Sequence, residues 1–268
     1  MCGRYAASKD PEALVEEFEI DQTDVGEPLA PDYNVAPSKP VYVVLQRRPR
    51  KPAEPVGVRP GSQPTVTGPV PRQLRVARWG LVPSWAKDRS IGSRLINARV
   101  ETLAEKPAFR RAFAARRCLL PADGYYEWYT PTEPDAPTTK AGKPRKQPFY
   151  IHPADGSSLA MAGLYEWWHD PTRDRDDPEA WLLTTTVITT TATDALGRIH
   201  DRMPVLVPRP AWARWLDPDD VDPAGGQPLT DLLVPADPDA LLTEAVSTAV
   251  NDVRNNGPEL VEPVPAQA

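Results

Sequence analysis

The sequence predicts a fold of short β-strands and many loops, with only a few short helices. Thirty-four of the 268 residues are proline, and this content opposes long helices. Short apolar and β-branched runs bounded by turn residues recur along the chain, as is typical of strands. Forty per cent of the residues are hydrophobic, enough for a sizeable core, and the length fits one large domain or two small ones.

The composition argues against several classes of protein. A net charge of −6 opposes a general polyanion-binding role, so any nucleic-acid site must be a local basic patch. Two cysteines make no disulfide framework, and no apolar stretch fits a signal peptide or a membrane span. The chain has no Gly-rich phosphate loop, no metal-ligand spacing and no internal repeat. We therefore expect a cytoplasmic protein that uses no cofactor, metal or membrane.

A cysteine stands in second position. Initiator methionine is normally removed before a small side chain, so we expect the mature chain to begin at Cys2. An α-amine titrating near about pH 8 and a thiol near about 8.5 would then share one residue. Such a 1,2-aminothiol condenses with an aldehyde through a Schiff base and closes a thiazolidine ring, or it acts as an N-terminal nucleophile. Otherwise Cys2 is an accident of the start codon. Nearby Arg4 supplies a guanidinium that matches phosphate.

The first predicted element is a short helix. Asp10, Pro11 and Glu12 supply an N-cap, a proline at the first helical position and an acid in the first turn. A turn then leads into an apolar strand at residues 41–45. Asn34 in that turn is polar amid apolar neighbours, and it is either a turn-forming residue or part of a site.

Two segments, residues 47–73 and 130–147, are predicted to be low-complexity loop insertions. The first holds seven prolines and six basic residues against one acid, with too few apolar residues to fold alone. We favour a solvated extension there over an arm that contacts a polyanion. The second is a loop rich in proline and lysine.

A strand over residues 74–82 precedes a run of alternating polar and apolar residues. Trp85 follows the strand in a loop. If the next apolar run is extended, Asn97, Arg99 and Glu101 lie on one side of it. An amide, a guanidinium and a carboxylate make poor core material, so that side faces either solvent or a site.

A basic cluster surrounds a helix predicted at residues 107–117 by the spacing of Phe109 and Phe113. Residues 94–117 carry seven basic residues and two acids, a local charge of +5 in an acidic protein. The cluster is either a solvated helix face or, with the aromatic residues nearby, a surface for single-stranded nucleic acid.

Glu127 occurs in an aromatic strand, between Tyr126 and Trp128. Burial there would raise its pKa and suit it to acid–base chemistry, whereas an edge position would leave an ordinary carboxylate. Cys118, which begins the preceding apolar run, is expected to be a core residue.

The second half of the chain is predicted to be rich in strands. Residues 149–151 and 158–164 are expected to pair as a hairpin around a Pro-Ala-Asp-Gly turn. A β-branched strand covers residues 181–188, and a short helix covers 210–216. His200 is predicted to lie in a loop between strands, flanked by two arginines and an aspartate.

Six short motifs occur in one order along the chain. They are Cys2-Gly3-Arg4-Tyr5, Tyr33-Asn34-Val35-Ala36-Pro37, Trp79-Gly80, Asn97-Ala98-Arg99-Val100-Glu101-Thr102, Asp123-Gly124-Tyr125-Tyr126-Glu127-Trp128 and His200-Asp201-Arg202-Met203-Pro204. Together they resemble the SRAP family, the abasic-site-processing proteins first labelled SOS-associated peptidases. The likeness runs from Cys2 to about residue 263, so residues 1–268 are expected to form a single SRAP domain.

The resemblance implies an α+β fold, a curved, barrel-like antiparallel sheet with a few short flanking helices. It implies a groove for single-stranded DNA that contains abasic sites, with Cys2 at the floor. The implied activity is a reversible thiazolidine crosslink between Cys2 and the ring-opened sugar, with an associated lyase activity, in the DNA damage response. The implied protein is a monomer that joins the nucleoid on damaged DNA, with replication-fork proteins as candidate partners.

The same resemblance assigns roles to the matched positions. The catalytic residues are Cys2, which bonds to the aldehyde, Asn97, which holds the α-amine and adduct, Glu127, which shuttles protons, and His200, which assists ring opening and strand cleavage. The DNA-binding residues are Arg4, Asn34, Trp85, Arg99, Trp128 and Arg202. These residue types suit the chemistry independently, because an iminium needs a proton donor and acceptor near neutral pH and phosphates suit arginine forks.

Other functions remain consistent with parts of the pattern. N-terminal-nucleophile amidotransferases also begin Met-Cys-Gly, but they usually continue with an aliphatic residue. They also need alternating helices and strands for a four-layer sandwich, which the proline content opposes. A non-catalytic module for single-stranded DNA is a third function. A self-processing peptidase acting between Met1 and Cys2 is a further one, although no Ser/His/Asp set supports a general protease.

Overall fold

The computed structural model describes residues 2–48, 70–132, 137–139, 141–193, 198–220, 229–233 and 240–264. The strands are β1 (Tyr5–Ala7), β2 (Gln22–Asp24), β3 (Asp32–Val35), β4 (Pro40–Gln46), β5 (Arg72–Trp79), β6 (Asn97–Arg99), β7 (Arg117–Ala122), β8 (Gly124–Tyr129), β9 (Gln147–Pro153), β10 (Leu159–His169), β11 (Trp181–Thr191), β12 (Arg202–Pro204) and β13 (Leu241–Ala245). The α-helices are α1 (Pro11–Glu17), α2 (Arg110–Ala115) and α3 (Trp212–Leu216). Most of the first predicted insertion, and Met1, lie outside the described residues.

Short 3₁₀ turns link several of these elements. They are Arg89–Arg94, Val100–Thr102, Pro178–Ala180, Arg209–Ala211, Leu229–Leu232, Thr248–Asn251 and Pro258–Leu260. Proline at the first positions of three of them, as at the start of α1, sets a helical φ where no backbone donor is needed. Across the described ranges, no helix combines the length and the apolar character that crossing a membrane would require.

Five strands close into a barrel. β4 pairs with β5 and β7, and β10 pairs with β7 and β11. A parallel contact between β11 and β5, with Thr185 opposite Trp79, completes the ring. β2 extends the barrel sheet beyond β5, while β12 and β6 pair with β11. Closure gives each of the five barrel strands a neighbour on both sides, so none of them is an open edge.

A second sheet is antiparallel throughout, in the order β13-β9-β8-β1-β3. It packs on the barrel through one shared core. Tyr5 and Tyr125 from the sheet join Trp79 and Val43 from the barrel in that core. The rings of Tyr5 and Trp79 lie 5.1 Å apart. The predicted fold, an α+β barrel-like sheet with few short helices, is confirmed, although the pairings of β11 with β5 and β6 and of β2 with β5 are parallel.

The helices pack against the face of the barrel strands opposite the core shared with the sheet. The predicted N-cap of α1 is confirmed, since the Asp10 side chain accepts a hydrogen bond of 2.8 Å from the backbone N–H of Ala13. α2 is shorter than the predicted helix, because Arg117 already belongs to β7. The buried Arg117 guanidinium donates to the carbonyls of Phe113 and Trp215, both at 2.8 Å, and so ties the helix end to α3.

The predicted hairpin around residues 153–156 is wrong. The chain does turn there, with Gly156 at φ 73°, but β9 pairs with β8 and β13 whereas β10 pairs with β7 and β11. The turn therefore carries the chain from the sheet to the barrel. Most of β10 is buried, and a strand buried on both faces needs neighbours on both edges, which β7 and β11 provide.

Candidate active site

Cys2 lies immediately before β1, in the core shared by barrel and sheet, with a fully buried side chain. Its backbone carbonyl accepts a hydrogen bond of 2.8 Å from Nδ2 of Asn97. Burial, reinforced by the nearby negative charge of Glu127, raises the pKa of the Cys2 thiol. The sulfur is therefore held as a neutral thiol at pH 7, and it needs a nearby base if it is to act as a nucleophile.

Asn97 reaches Cys2 from the barrel side. Its strand β6 runs parallel to β11, with Asn97 opposite Val187, and this register fixes where the amide points. Among the described residues, Oδ1 of Asn97 is buried without a hydrogen-bond partner. Buried amide oxygens are normally satisfied, so this acceptor is available to a donor bound beside Cys2.

Glu127 lies on β8 of the sheet, and its negative charge acts on the Cys2 thiol. Its side chain is only 3 % exposed, and burial raises its pKa to about 7. The sequence predicted this raised pKa, but it attributed the burial to the wrong neighbours. Side chains alternate along a strand, so Tyr126 and Trp128 face the other side of the sheet, in a separate apolar cluster, and Glu127 faces the side of Tyr125 and Cys2.

His200 lies in the loop before β12, with its side chain 30 % exposed. Its Nδ1 accepts the backbone N–H of Arg202 at 3.0 Å, and Asp201 Oδ1 lies 2.9 Å from the same nitrogen. The two contacts require different protonation states. Burial lowers the pKa of His200, so we take the neutral ring that accepts from Arg202 and carries its proton on Nε2.

A cleft of about 820 Å³ brings four of the predicted site residues together. Arg4, Glu127, Trp128 and His200 all line it, and the Arg4 guanidinium lies over the Trp128 ring at 5.5 Å from its centroid. Three further cations line the same cleft, Lys143, Arg145 and Lys146. The sequence did not predict them as site residues, because they fall in the segment 130–147 that was interpreted as a loop insertion. Their positive charge was the signal that could have identified them.

Asn34 is completely buried and does not line this cleft. Its Nδ2 donates to the carbonyls of Val250, Asp252 and Asn255 at 3.2, 3.0 and 3.0 Å. Its Oδ1 accepts from Nη1 of Arg4 at 2.7 Å. Asn34 thus anchors the segment 250–255 and aims Arg4, so its expected contribution to DNA binding would be indirect.

The Arg202 side chain likewise binds other residues of the protein. It forks onto Glu101, with Nη1–Oε1 and Nη2–Oε2 distances of 2.6 and 3.0 Å, and Nη2 also donates to the carbonyl of Thr189 at 2.6 Å. Glu101 lies in a 3₁₀ turn, so the extended alternation expected from Asn97 to Glu101 holds only as far as Arg99. Arg202 secures the loop that carries His200.

Trp85 and Arg99 are surface residues. Trp85 is 55 % exposed, an unusual state for so large an apolar side chain, and Arg99 is also exposed. Neither lines the cleft. Of the predicted DNA contacts, these two are open to solvent outside it, while Arg4 and Trp128 are the two within it.

The predicted basic cluster is divided by the fold. Arg116 pairs with Glu166 at 2.8 Å, and Arg117 is buried. Lys106 before α2, and Arg110 and Arg111 in it, are exposed and do not line the cleft. This placement favours the solvated helix face over a nucleic-acid surface.

Comparison with known proteins agrees with this architecture. A family model described as SOS response associated peptidase (SRAP) matches residues 1–253. The abasic site processing protein YoqW of Bacillus subtilis is 37% identical over 262 residues, which are 98% of this chain and 99% of YoqW. The abasic site processing protein YedK of Escherichia coli is 30% identical over 268 residues, covering 98% of this chain and all of YedK, 100%.

Solved structures repeat the fold. A crystal structure of a protein from Bacteroides thetaiotaomicron superposes with a TM-score of 0.70 at 23% identity, covering 98% of this chain and 100% of that one. A structure of a protein from Bordetella bronchiseptica gives a TM-score of 0.62 at 25% identity, covering 92% and 100%. The family match spans nearly the whole chain and includes Cys2, Asn97, Glu127 and His200, so the chain belongs to the SRAP family.

Proposed function

We propose that this chain processes abasic sites in single-stranded DNA by bonding covalently, through Cys2, to the aldehyde of the ring-opened sugar. The observation that carries the proposal is a buried Cys2, held at its carbonyl by Asn97, together with the buried carboxyl group of Glu127, whose charge acts on the thiol and whose pKa is about 7. Two relatives that match nearly the full chain are named abasic site processing proteins, which supports the same substrate.

The chemistry requires removal of Met1, so that Cys2 carries the α-amine. The amine attacks the aldehyde carbon, and loss of water gives a Schiff base. The sulfur then adds to the same carbon while Glu127 takes the thiol proton and returns a proton to the nitrogen. This closes a thiazolidine ring with no oxidant, and a group with a pKa near the working pH serves both transfers.

Asn97 and His200 complete the proposed mechanism. Oδ1 of Asn97, which has no hydrogen-bond partner among the described residues, would accept a hydrogen bond from the Cys2 amine, while Nδ2 holds the Cys2 carbonyl. His200, with its proton on Nε2, faces the cleft and would move protons as the sugar ring opens. From the Schiff base, loss of a sugar C2′ proton would expel the 3′ phosphate, which is the proposed lyase reaction.

The test uses three forms of one single-stranded oligonucleotide, which carry an intact base, an abasic site or a tetrahydrofuran analogue. The analogue also lacks the base, but it cannot open to an aldehyde. A heat-stable, shifted band with the abasic strand alone is expected. A band of equal yield with the analogue would contradict aldehyde chemistry, and binding without any stable band would favour the non-catalytic module.

The fold differs from the four-layer sandwich that the amidotransferase alternative requires. The described strands form a barrel and one further sheet, with three short α-helices among them, rather than two sheets between helical layers.

A further inference from the structure

The segment before β9 forms a small hairpin, here called the basic hairpin, which comprises residues 137–139 and 141–146. Thr138 and Pro144 form an antiparallel bridge. The Arg145 N–H donates to the Pro137 carbonyl at 2.7 Å, and the Thr139 N–H donates to the Lys143 carbonyl at 2.8 Å. Its turn contains Gly142 at φ 72°, a conformation that favours glycine. The backbone thus gives the three cations of this segment defined positions.

Lys143, Arg145 and Lys146 are exposed and line the cleft that holds Glu127 and His200. None of the three makes a side-chain hydrogen bond or ion pair with another described residue. Glu127 is the only carboxyl group among the described cleft-lining residues, and with a pKa of about 7 it is largely protonated below neutral pH. The wall is therefore a concentration of positive charge that no carboxylate among the described residues pairs with, in a chain of net charge −6.

Exposed lysines are usually only solvated surface, and two observations favour a binding role here. The three cations converge on one concave surface instead of scattering. Lys146 also lines the cleft together with Glu127 and His200, and its positive charge lowers the pKa of each.

We propose that the basic hairpin forms a phosphate-binding wall of the cleft. Its cations bind the backbone phosphates of single-stranded DNA next to the abasic nucleotide. Residues 143–146 can span at most about 10 Å of extended chain. Each of the three cations can neutralise about one phosphate, so the segment fits two to three phosphates of a single strand. Lys146 holds the phosphate nearest the reacting sugar, and Lys143 and Arg145 hold those farther along. That the ligand is DNA rests on the proposed function. The positions of the three cations along the cleft do not depend on it.

The test compares two triple variants that change the net charge equally. One is Lys143→Ser, Arg145→Ser and Lys146→Ser in the basic hairpin. The matched control is Lys106→Ser, Arg110→Ser and Arg111→Ser at α2, which are exposed and do not line the cleft. Binding of an undamaged oligothymidylate is measured over a range of salt concentrations. Each phosphate contact contributes about 0.7 to the slope of log K against log salt concentration.

The hairpin variant should lose about 1.5 to 2 units of that slope, while the control keeps the wild-type slope. An unchanged slope in the hairpin variant, or an equal loss in both variants, overturns the proposal. Melting temperatures close to that of the wild type show that both variants fold. Crosslinking is scored separately at saturating abasic DNA and low salt, where the hairpin variant should still react because Cys2 is intact. Failure of the wild type to crosslink would defeat the proposed function and leave the slope comparison valid.

Discussion

Glu127 and Lys146 lie on the same cleft, yet water reaches them very differently. Glu127, like Cys2 behind it, is almost wholly buried, whereas the Lys146 side chain is exposed. Burial decides which protonation state a group adopts, and so it controls chemistry at single atoms. Exposed charges act over distance and are screened by salt, so they add affinity in small, separable steps. We therefore expect all-or-none effects at the reaction centre and graded effects at the wall.

The largest effect is expected at Cys2. Cys2→Ala should abolish the stable crosslink, because its remaining amine can form only a hydrolysable Schiff base. Cys2→Ser should do nearly the same, since an alkoxide is far less accessible than a thiolate at neutral pH. Denaturing gels with abasic single-stranded DNA measure the yield. Full yield from either variant would rule out a thiazolidine. It would also contradict the expected all-or-none effect at the reaction centre.

Glu127→Gln should slow crosslinking and its reversal by about 10²–10⁴-fold, because glutamine keeps the shape but cannot transfer a proton. Noncovalent affinity for undamaged DNA should change little. In the wild type, formation should accelerate as pH rises through about 7, where the carboxylate becomes available as a base. Single-turnover rates across this range test both points, and wild-type rates in both directions would exclude Glu127 from the mechanism.

The same substitution should have a pH-dependent effect on stability. The pKa of Glu127 is raised from 4.5 to about 7 in the folded state, so the unfolded state ionises first as pH rises. Wild-type stability should therefore decline between these pH values, and the glutamine variant should escape that decline. Its advantage in unfolding free energy at pH 8, relative to pH 4, should reach about 3 kcal/mol. An advantage independent of pH would show that Glu127 is not buried as described.

The Arg202–Glu101 pair distinguishes an internal support from a phosphate contact. We expect Arg202→Ala and Glu101→Ala to destabilise the fold with a coupling energy of about 1 kcal/mol in a double-mutant cycle, since the fork is partly exposed. Chemical denaturation measures this coupling. If the two effects simply add, and Arg202→Ala alone lowers the salt dependence of DNA binding, then Arg202 contacts phosphate directly.

The smallest effect is expected at Arg99, which is exposed but does not line the cleft. Arg99→Ala should lower the salt slope of binding by about 0.7 if the DNA path continues past the cleft to this residue. Arg110→Ala at α2 is the matched control and should leave the slope unchanged. Equal slopes in the wild type and both variants would confine DNA contacts to the cleft.

Local sequence was sufficient for several of these features. An N-cap, a proline and an acid predicted where α1 begins, because those interactions lie within one helical turn. The aromatic composition of the strand predicted the burial and raised pKa of Glu127, although Tyr126 and Trp128 face the other side of the sheet. The six motifs between Cys2 and Pro204, in one order, predicted the family, and the family match confirms it.

Only the tertiary structure decided which neighbours these residues meet. The turn near Gly156 predicted a reversal of the chain, but distant strands determine that β9 and β10 belong to different sheets. Arginine is equally cationic at positions 4 and 202, yet Asn34 and Glu101 occupy their guanidinium groups. The cations of the basic hairpin instead remain exposed along the cleft. The physical reason is that backbone preference is set within a few residues, whereas the availability of a charge depends on partners brought from far along the chain.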